Sequence, residues 1–484
     1  MASSDTPPGY PRITPSSPIR DFGPGRMDYE RCAALHNELL TRVVKAKGGS
    51  MPPAPPSWWE ARAPPPEVAD ALHPSLIEFL KRAWDEDVLL KPLFFFIGAL
   101  KFPEGFFEDD VRYSFGLVDE PGRFLKLYQA AGFRMGDDEG LLFDQKSMKA
   151  SFVEDYNDTK YITSHEWSWM PLEVILDSYL QMIDEGKVTA IPATLPELRR
   201  DFTVGVVEPW MIHQYTKTDL ERATTAFKRL IHAIESRVEN QKKDKPIALL
   251  DLPWHDPAIY NKDILPSFSF AHEFLTAISA CKVSFRYIAP GIRFPTTPEF
   301  NNQPITDFVT SPHRNLGQFP GNCPLRLFQV DTDTDTETAG ELVGPCDYHN
   351  GIHNITPGFY INPVVERWPL FWSNGCRLFL PFGIGRQGWA RFSNGQPLGL
   401  RDGDLDFEEA RLYDDPGALY QAGITNGITN AHLVVIDKVL NNWAERVEGG
   451  DWEVDGDGVR GGIEKFREAD TEEHWEKYWI PPSW

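Results

Sequence analysis

Cysteine is scarce in this chain: five in 484 residues, at positions 32, 281, 323, 346 and 376. So few, so widely scattered and odd in number, they exclude a disulfide framework and point to a reducing compartment. Positive charge is also short. Lys and Arg total 48 against 71 Asp and Glu, a net charge of −23, which argues against broad binding to nucleic acid or to an anionic membrane, both of which rest on clustered Lys and Arg. Long apolar runs are missing as well. The most apolar segment, 88–100, is broken by Lys91-Pro92 and falls short of the roughly 20 residues a bilayer-spanning helix needs. The first eighteen residues, MASSDTPPGYPRITPSSP, lack the apolar centre of a signal peptide, so a cytoplasmic, soluble protein with no membrane partner is expected. The Asn-x-Thr sequons at Asn157 and Asn354 are then chance matches.

Familiar catalytic signatures are absent too. His165-Glu166 is not followed by a second histidine at the spacing of a zinc protease. The acidic run 331–337, DTDTDTE, lacks the glycine and ligand order of a calcium-binding EF-hand loop.

What the chain has in plenty is aromatic: 31 Phe, 15 Trp and 15 Tyr, a composition that belongs to a folded protein with a large core. Its length exceeds one ordinary core, so a large single domain or two lobes is expected. The densest stretch is 344–389, in which Cys346, His349 and His353 are spaced C-x2-H-x3-H between turn-forming Gly-Pro and Thr-Pro-Gly. Such a trio on a loop can hold zinc or another transition metal; equally, the thiol can be a small buried hydrophobe and the imidazoles can serve the turn backbone. Apolar runs at 359–365, 368–372 and 376–382 follow, separated by turn residues, and read as short strands.

Helical apolar spacing marks 28–44, 67–86, 88–100, 123–131, 171–186 and 268–281. A capping box at Thr218 and Glu221 opens a further helix to Val238, and 431–447 carries an equally clear stripe. Strands are expected at 246–252, 283–288 and 325–330, and a hairpin at 389–400 turning at Asn394-Gly395. The proline-rich crossing 51–66 contains Trp58-Trp59, two indoles suited to plugging a surface, and 451–484 reads as an aromatic tail held by Trp475, Trp479 and Trp484. The pattern is α+β: a disordered arm over 1–26, a helix-rich lobe over 27–245, and a lobe over 246–484 with a mixed or antiparallel sheet.

Other candidate site residues are acids and histidines. Asp137, Asp138 and Glu139 bunch in MGDDEGLLFD, where paired carboxylates can hold magnesium or a cationic group, or simply face water in a turn. His255 and Asp256 follow the expected strand 246–252 and could form a base with an acidic partner, provided the loop turns sharply enough to bring sequence neighbours together. His165 is a lone candidate acid or base.

The stretches YIAPGI at 287–292 and GVRGGIEKFREADTEEHWEKYWIPPSW at 458–484 resemble a group of filamentous-fungal proteins associated with the arginine-containing cyclodipeptide synthases. The resemblance implies an enzyme of specialised metabolism that joins an arginyl and a second aminoacyl group, both delivered on transfer RNA, into a diketopiperazine. It also implies a DDxxE motif; DDEGL at Asp137 and DDPGA at Asp414 both lack the glutamate. A metal-dependent oxidoreductase or hydrolase built on Cys346, His349 and His353, and a noncatalytic protein that binds a small molecule, are the alternatives.

Overall fold

The computed structural model describes residues 12–20, 23, 25–85, 92–107, 122–131, 138–155, 167, 169–192, 204–241, 249–260, 265, 269–303, 325–331, 356–361, 373–400, 412, 418–423, 427–429 and 434–484. It is α+β, and its chain divides into two compact units, Met1–His213 with Thr425–Ala431 and Ser483–Trp484, and Gln214–Ile424 with His432–Pro482.

In the first unit, α1 (Tyr29–Ala46), α2 (Trp58–Arg62), α3 (Pro66–Ala71) and α4 (Pro74–Leu80) precede β1 (Ile97–Leu100), β2 (Phe124–Ala130), β3 (Asp138–Asp144), β4 (Lys149–Asp155) and β5 (Met170–Pro171), which form one sheet in that order with antiparallel neighbours. Then come α5 (Leu172–Asp184), β6 (Val188–Ala190), β7 (Val204–Val207) and β8 (Trp210–His213); the last three strands form a small antiparallel sheet. Asp28 caps α1 by accepting a hydrogen bond from the Arg31 backbone N–H at 3.0 Å, satisfying one of the orphan donors of the first turn. Trp58 is fully buried, stacked on Phe106 at 5.1 Å, and its indole donates to the Lys101 carbonyl at 3.0 Å. One of the two indoles thus plugs the body.

Two helical expectations fail here. The described part of 88–100 ends in the strand β1, and 123–131 is the strand β2. All of Phe124 to Tyr128 is buried, Lys126 included. A strand covered on both faces loses the alternation of period two by which strands are recognised.

The second unit holds α6 (Lys217–Gln241), α7 (Phe270–Ile278), β9 (Tyr287–Ala289), β10 (Ile292–Arg293), α8 (Thr297–Asn301), β11 (Leu325–Val330), β12 (Gly358–Ile361), β13 (Cys376–Phe379), β14 (Ala418–Leu419), α9 (Ile436–Glu448), β15 (Val454–Asp455), β16 (Gly458–Val459) and α10 (Trp475–Tyr478). Its eight strands run in the order β14-β13-β12-β11-β10-β9-β16-β15, antiparallel except for the parallel pair β16 and β9. One face of this sheet packs on α6, α7 and α9 around Trp443, whose indole donates to the Tyr420 hydroxyl at 2.9 Å and whose ring meets Phe359 at 5.1 Å.

Helix α6 belongs to this second unit, and its capping box lies two residues upstream of Thr218 and Glu221. The Thr216 backbone N–H donates to Asp219 Oδ2 at 2.8 Å, and the Asp219 N–H donates to Thr216 Oγ1 at 3.1 Å. The described part of 246–252 is not a strand; Leu249 is 54 % exposed and Leu250 makes a single backbone bond, to the Val283 carbonyl. Strand β9 starts at Tyr287, later than 283. The hairpin is present: Arg391 bridges Pro397, and Gly395 turns with φ at +93°. In the tail, Tyr478 and Ile480 are buried and the Trp479 indole donates to the Phe392 carbonyl at 2.9 Å.

Candidate functional site

Antiparallel neighbours that stand directly opposite share a face of the sheet. On strands β11, β12 and β13, Leu325, Leu327, Phe328, Phe359, Ile361, Cys376 and Leu378 belong to the apolar core. The alternate positions carry different chemistry: Arg326 stands opposite Tyr360, and Tyr360 opposite Arg377. Two arginines thus flank a tyrosine on the face turned away from the core. Phe379 lies one step along β13 and meets the Tyr360 ring edge-on at 5.2 Å.

Arg377 is 7 % exposed, its Nε is buried without an acceptor, and its guanidinium has no hydrogen-bond or ion-pair partner among the described residues. Arg326 is half-buried, and among the described residues only its backbone is bonded: its N–H donates to Gln303 Oε1 at 2.8 Å and its carbonyl accepts from Gln303 Nε2 at 3.3 Å. Burial lowers the pKa of this guanidinium below its ordinary value, opposed by nearby Tyr360 and Glu299. Tyr360 is buried and donates its hydroxyl to the Thr356 carbonyl at 2.7 Å; burial raises the pKa of this phenol. Gly358 makes room for Arg326. A Cβ there would lie 2.6 Å from Arg326 Cδ and 2.9 Å from its Cγ, so the arginine stem crosses from β11 onto β12.

Beside this pair, Arg293 on β10 is held by two carboxylates. It donates to both Glu299 oxygens at 2.9 and 2.6 Å and to Asp331 Oδ1 at 3.3 Å, and Asp331 accepts from the Tyr287 hydroxyl at 2.5 Å. The Arg293 contact holds the Glu299 carboxyl down at about 2. An isolated cation out of water is costly, whereas a paired one is compensated. Among the described residues, the contrast between Arg293 and Arg377 therefore identifies the acceptor-poor place on this face.

The expected site residues fall elsewhere. His165, Asp137, Cys346, His349 and His353 lie outside the described residues, and of Asp138 and Glu139 the backbone alone is described: they begin β3, with Asp138 opposite Asp155. Among the described residues no group of three His, Cys, Asp or Glu is placed to hold a metal, and no helix is long and apolar enough to cross a membrane. His255 and Asp256 are not bonded to each other. His255 Nδ1 accepts from the Leu252 N–H at 3.4 Å and its Nε2 donates to the Cys281 carbonyl at 3.3 Å, while Asp256 caps the next turn through the Ala258 N–H at 2.9 Å. The glycine-rich turn 385–390 forms an anion cradle that the chain fills itself: the Asp470 carboxylate accepts four backbone N–H bonds, from Gly385, Gln387, Trp389 and Ala390, at 2.9–3.0 Å.

In the first unit, a polar cluster lies sealed between α1, α5 and β2. The Cys32 thiol donates to Glu173 Oε2 at 3.5 Å, His36 Nδ1 accepts from the Tyr128 hydroxyl at 2.9 Å, and His36 Nε2 donates to the Trp84 carbonyl at 2.9 Å. Burial raises the pKa of Cys32 and Glu173 and lowers that of His36 to about 4.

Sequence reasoning passed over Arg326 and Arg377. Their signal is a charged residue inside an otherwise apolar strand, LRLFQV and CRLFL. No protein-family model matches this chain, and neither does any curated protein or solved structure.

Proposed function

We propose that this chain binds a small metabolite through an anionic group, carboxylate or phosphate, at Arg326 and Arg377 on the outer face of the eight-stranded sheet. The observation that carries this reading is Arg377, a buried residue whose Nε is enclosed and whose guanidinium has no acceptor among the described residues. A planar guanidinium offers five fixed donors that match a carboxylate or phosphate in pairs, so a bound oxyanion supplies the acceptor that burial demands. Calorimetric titration of the full chain with acetate, inorganic phosphate, pyrophosphate and succinate tests it. Saturable binding of at least one probe, lost in the Arg326→Gln/Arg377→Gln double variant, is the expected result; absence of binding to all four overturns it.

A second reading is the arginine-containing cyclodipeptide synthase. What supports it, beyond the resemblance, is that the two stretches bearing it fold against one another: β9 and β16 pair, Gly458 opposite Tyr287, with Gly458 at φ +115° and no room for a Cβ against the Tyr287 carbonyl. Its substrates are then charged transfer RNAs, and Asp137, Asp138 and Glu139 receive the arginyl guanidinium. Expression in a heterologous host yields an arginine-containing diketopiperazine on this reading, and Asp137→Asn/Asp138→Asn lowers it by more than about tenfold. A host that makes the product with a known synthase and none with this chain removes it.

A further inference from the structure

Two arginines can serve one anion or two. To grip a single carboxylate or phosphate, both guanidiniums must come within hydrogen-bond reach of it, roughly 6 Å from each other, and two cations that close in a partly buried place perturb one another strongly. The strands of Arg326 and Arg377 are two steps apart in the sheet, β11 and β13 with β12 between, which separates the backbones by roughly 10 Å.

The residue between them does not compete. Tyr360 stands opposite both arginines, but its hydroxyl proton is committed to the Thr356 carbonyl. The stem of Arg326 crosses onto β12 over Gly358, two positions along the strand from Tyr360, whereas Arg377 faces Tyr360 itself. The two arginines therefore bracket a short span of β12, Gly358 to Tyr360.

We infer that the ligand of this face is a small molecule with two anionic groups, one held by Arg326 and one by Arg377, of the span of a short dicarboxylate or a diphosphate. This rests on the anion-binding reading above and specifies its ligand. The neighbouring Arg293 is excluded from the grip because it is already paired with Glu299 and Asp331.

The test is calorimetric titration of the full chain with acetate and inorganic phosphate as single-group probes, and with malonate, succinate, glutarate and pyrophosphate as two-group probes. At least one two-group probe binds about tenfold or more tighter than acetate, since the second contact is made within an already formed complex. Arg326→Gln and Arg377→Gln each weaken that probe and bring its affinity to within about twofold of the acetate affinity measured in the same variant. The Lys variants, which keep the charge but lose the fork, retain an intermediate preference. Circular dichroism establishes that each variant is folded, and the ratio of probes in the unaltered chain decides the matter whether or not a variant folds. Equal affinity for single- and two-group probes, bound at these arginines, overturns the two-anion inference and leaves the anion site standing. No binding by any probe overturns both.

Discussion

The sealed cluster around His36 and the arginine face around Arg377 bury comparable polar chemistry and settle it in opposite ways. At His36 both ring nitrogens have partners, and the Cys32 thiol donates to Glu173. Arg377 is 7 % exposed, with its Nε enclosed and its guanidinium without a partner among the described residues. A buried polar group costs free energy unless it is paired. Pairing within the chain makes a structural element, and pairing left to another molecule makes a binding site. Both residues are buried, so burial alone would not have told them apart.

The comparison breaks most readily at His36. Replacing it with Leu strands the Tyr128 hydroxyl and the Trp84 carbonyl inside the first unit and costs about 2–5 kcal/mol, since each orphaned group carries its own desolvation penalty. Urea denaturation measures this, and an unchanged midpoint would show that the cluster contributes nothing. Acid sharpens the same point. His36 has a folded pKa of about 4, below its unfolded value near 6.5, so the unfolded chain takes up a proton first as pH falls. Stability is whole above about pH 6.5 and declines towards pH 4, by up to about 3 kcal/mol, and then levels off. Glu173, whose pKa is raised by burial, works in the opposite sense and blunts the slope. In a His36→Leu background the decline between pH 6.5 and 4 flattens; an identical decline there would assign it to other groups.

On the arginine face, Gly358→Ala drives a methyl group into the Arg326 stem and against the Phe328 carbonyl, an overpacking cost of about 1–3 kcal/mol. Weaker anion binding accompanies it because Arg326 is displaced. Thermal melts with and without pyrophosphate read both effects, and full binding in that variant would show that Gly358 does not set the arginine's position. The smallest effect belongs to an exposed pair. Arg229 on α6 donates to both Glu448 oxygens on α9, at 3.0 and 2.6 Å, and Glu448→Gln shifts stability by about 0.2–1 kcal/mol. A larger loss in a double-mutant cycle would mean that the pair is not solvent-screened.

Much of the fold was legible in the sequence. Helices α1, α5, α7 and α9 follow their apolar stripes, and β11 coincides with the expected 325–330. Strands β1 and β2 were not legible, because a strand buried on both faces carries no alternation, and Leu-Lys-Leu-Tyr within β2 reads as readily in helical register. The cap of α6 was misplaced because Thr216-x-x-Asp219 and Thr218-x-x-Glu221 both fit the pattern, and only the observed bonds decide between them. Little of the candidate site was legible. An arginine inside an apolar strand is visible in the sequence, but the absence of an acceptor depends on what the fold brings near it, and Arg293, which is paired with two carboxylates, looks no different there.

The central claim is that Arg377 is buried for a ligand's sake and not for the fold's. Removing an unpaired buried charge in favour of an apolar side chain of similar length is neutral or stabilising, whereas breaking a formed ion pair costs several kcal/mol. The direct test is the melting temperature of Arg377→Met beside the unaltered chain, each with and without saturating pyrophosphate. The account predicts that the variant melts at the same temperature as the unaltered chain or higher, and that pyrophosphate raises the melting temperature of the unaltered chain by clearly more than that of the variant. A variant that melts well below the unaltered chain yet responds to pyrophosphate as strongly as it does would make Arg377 a structural residue and contradict the account.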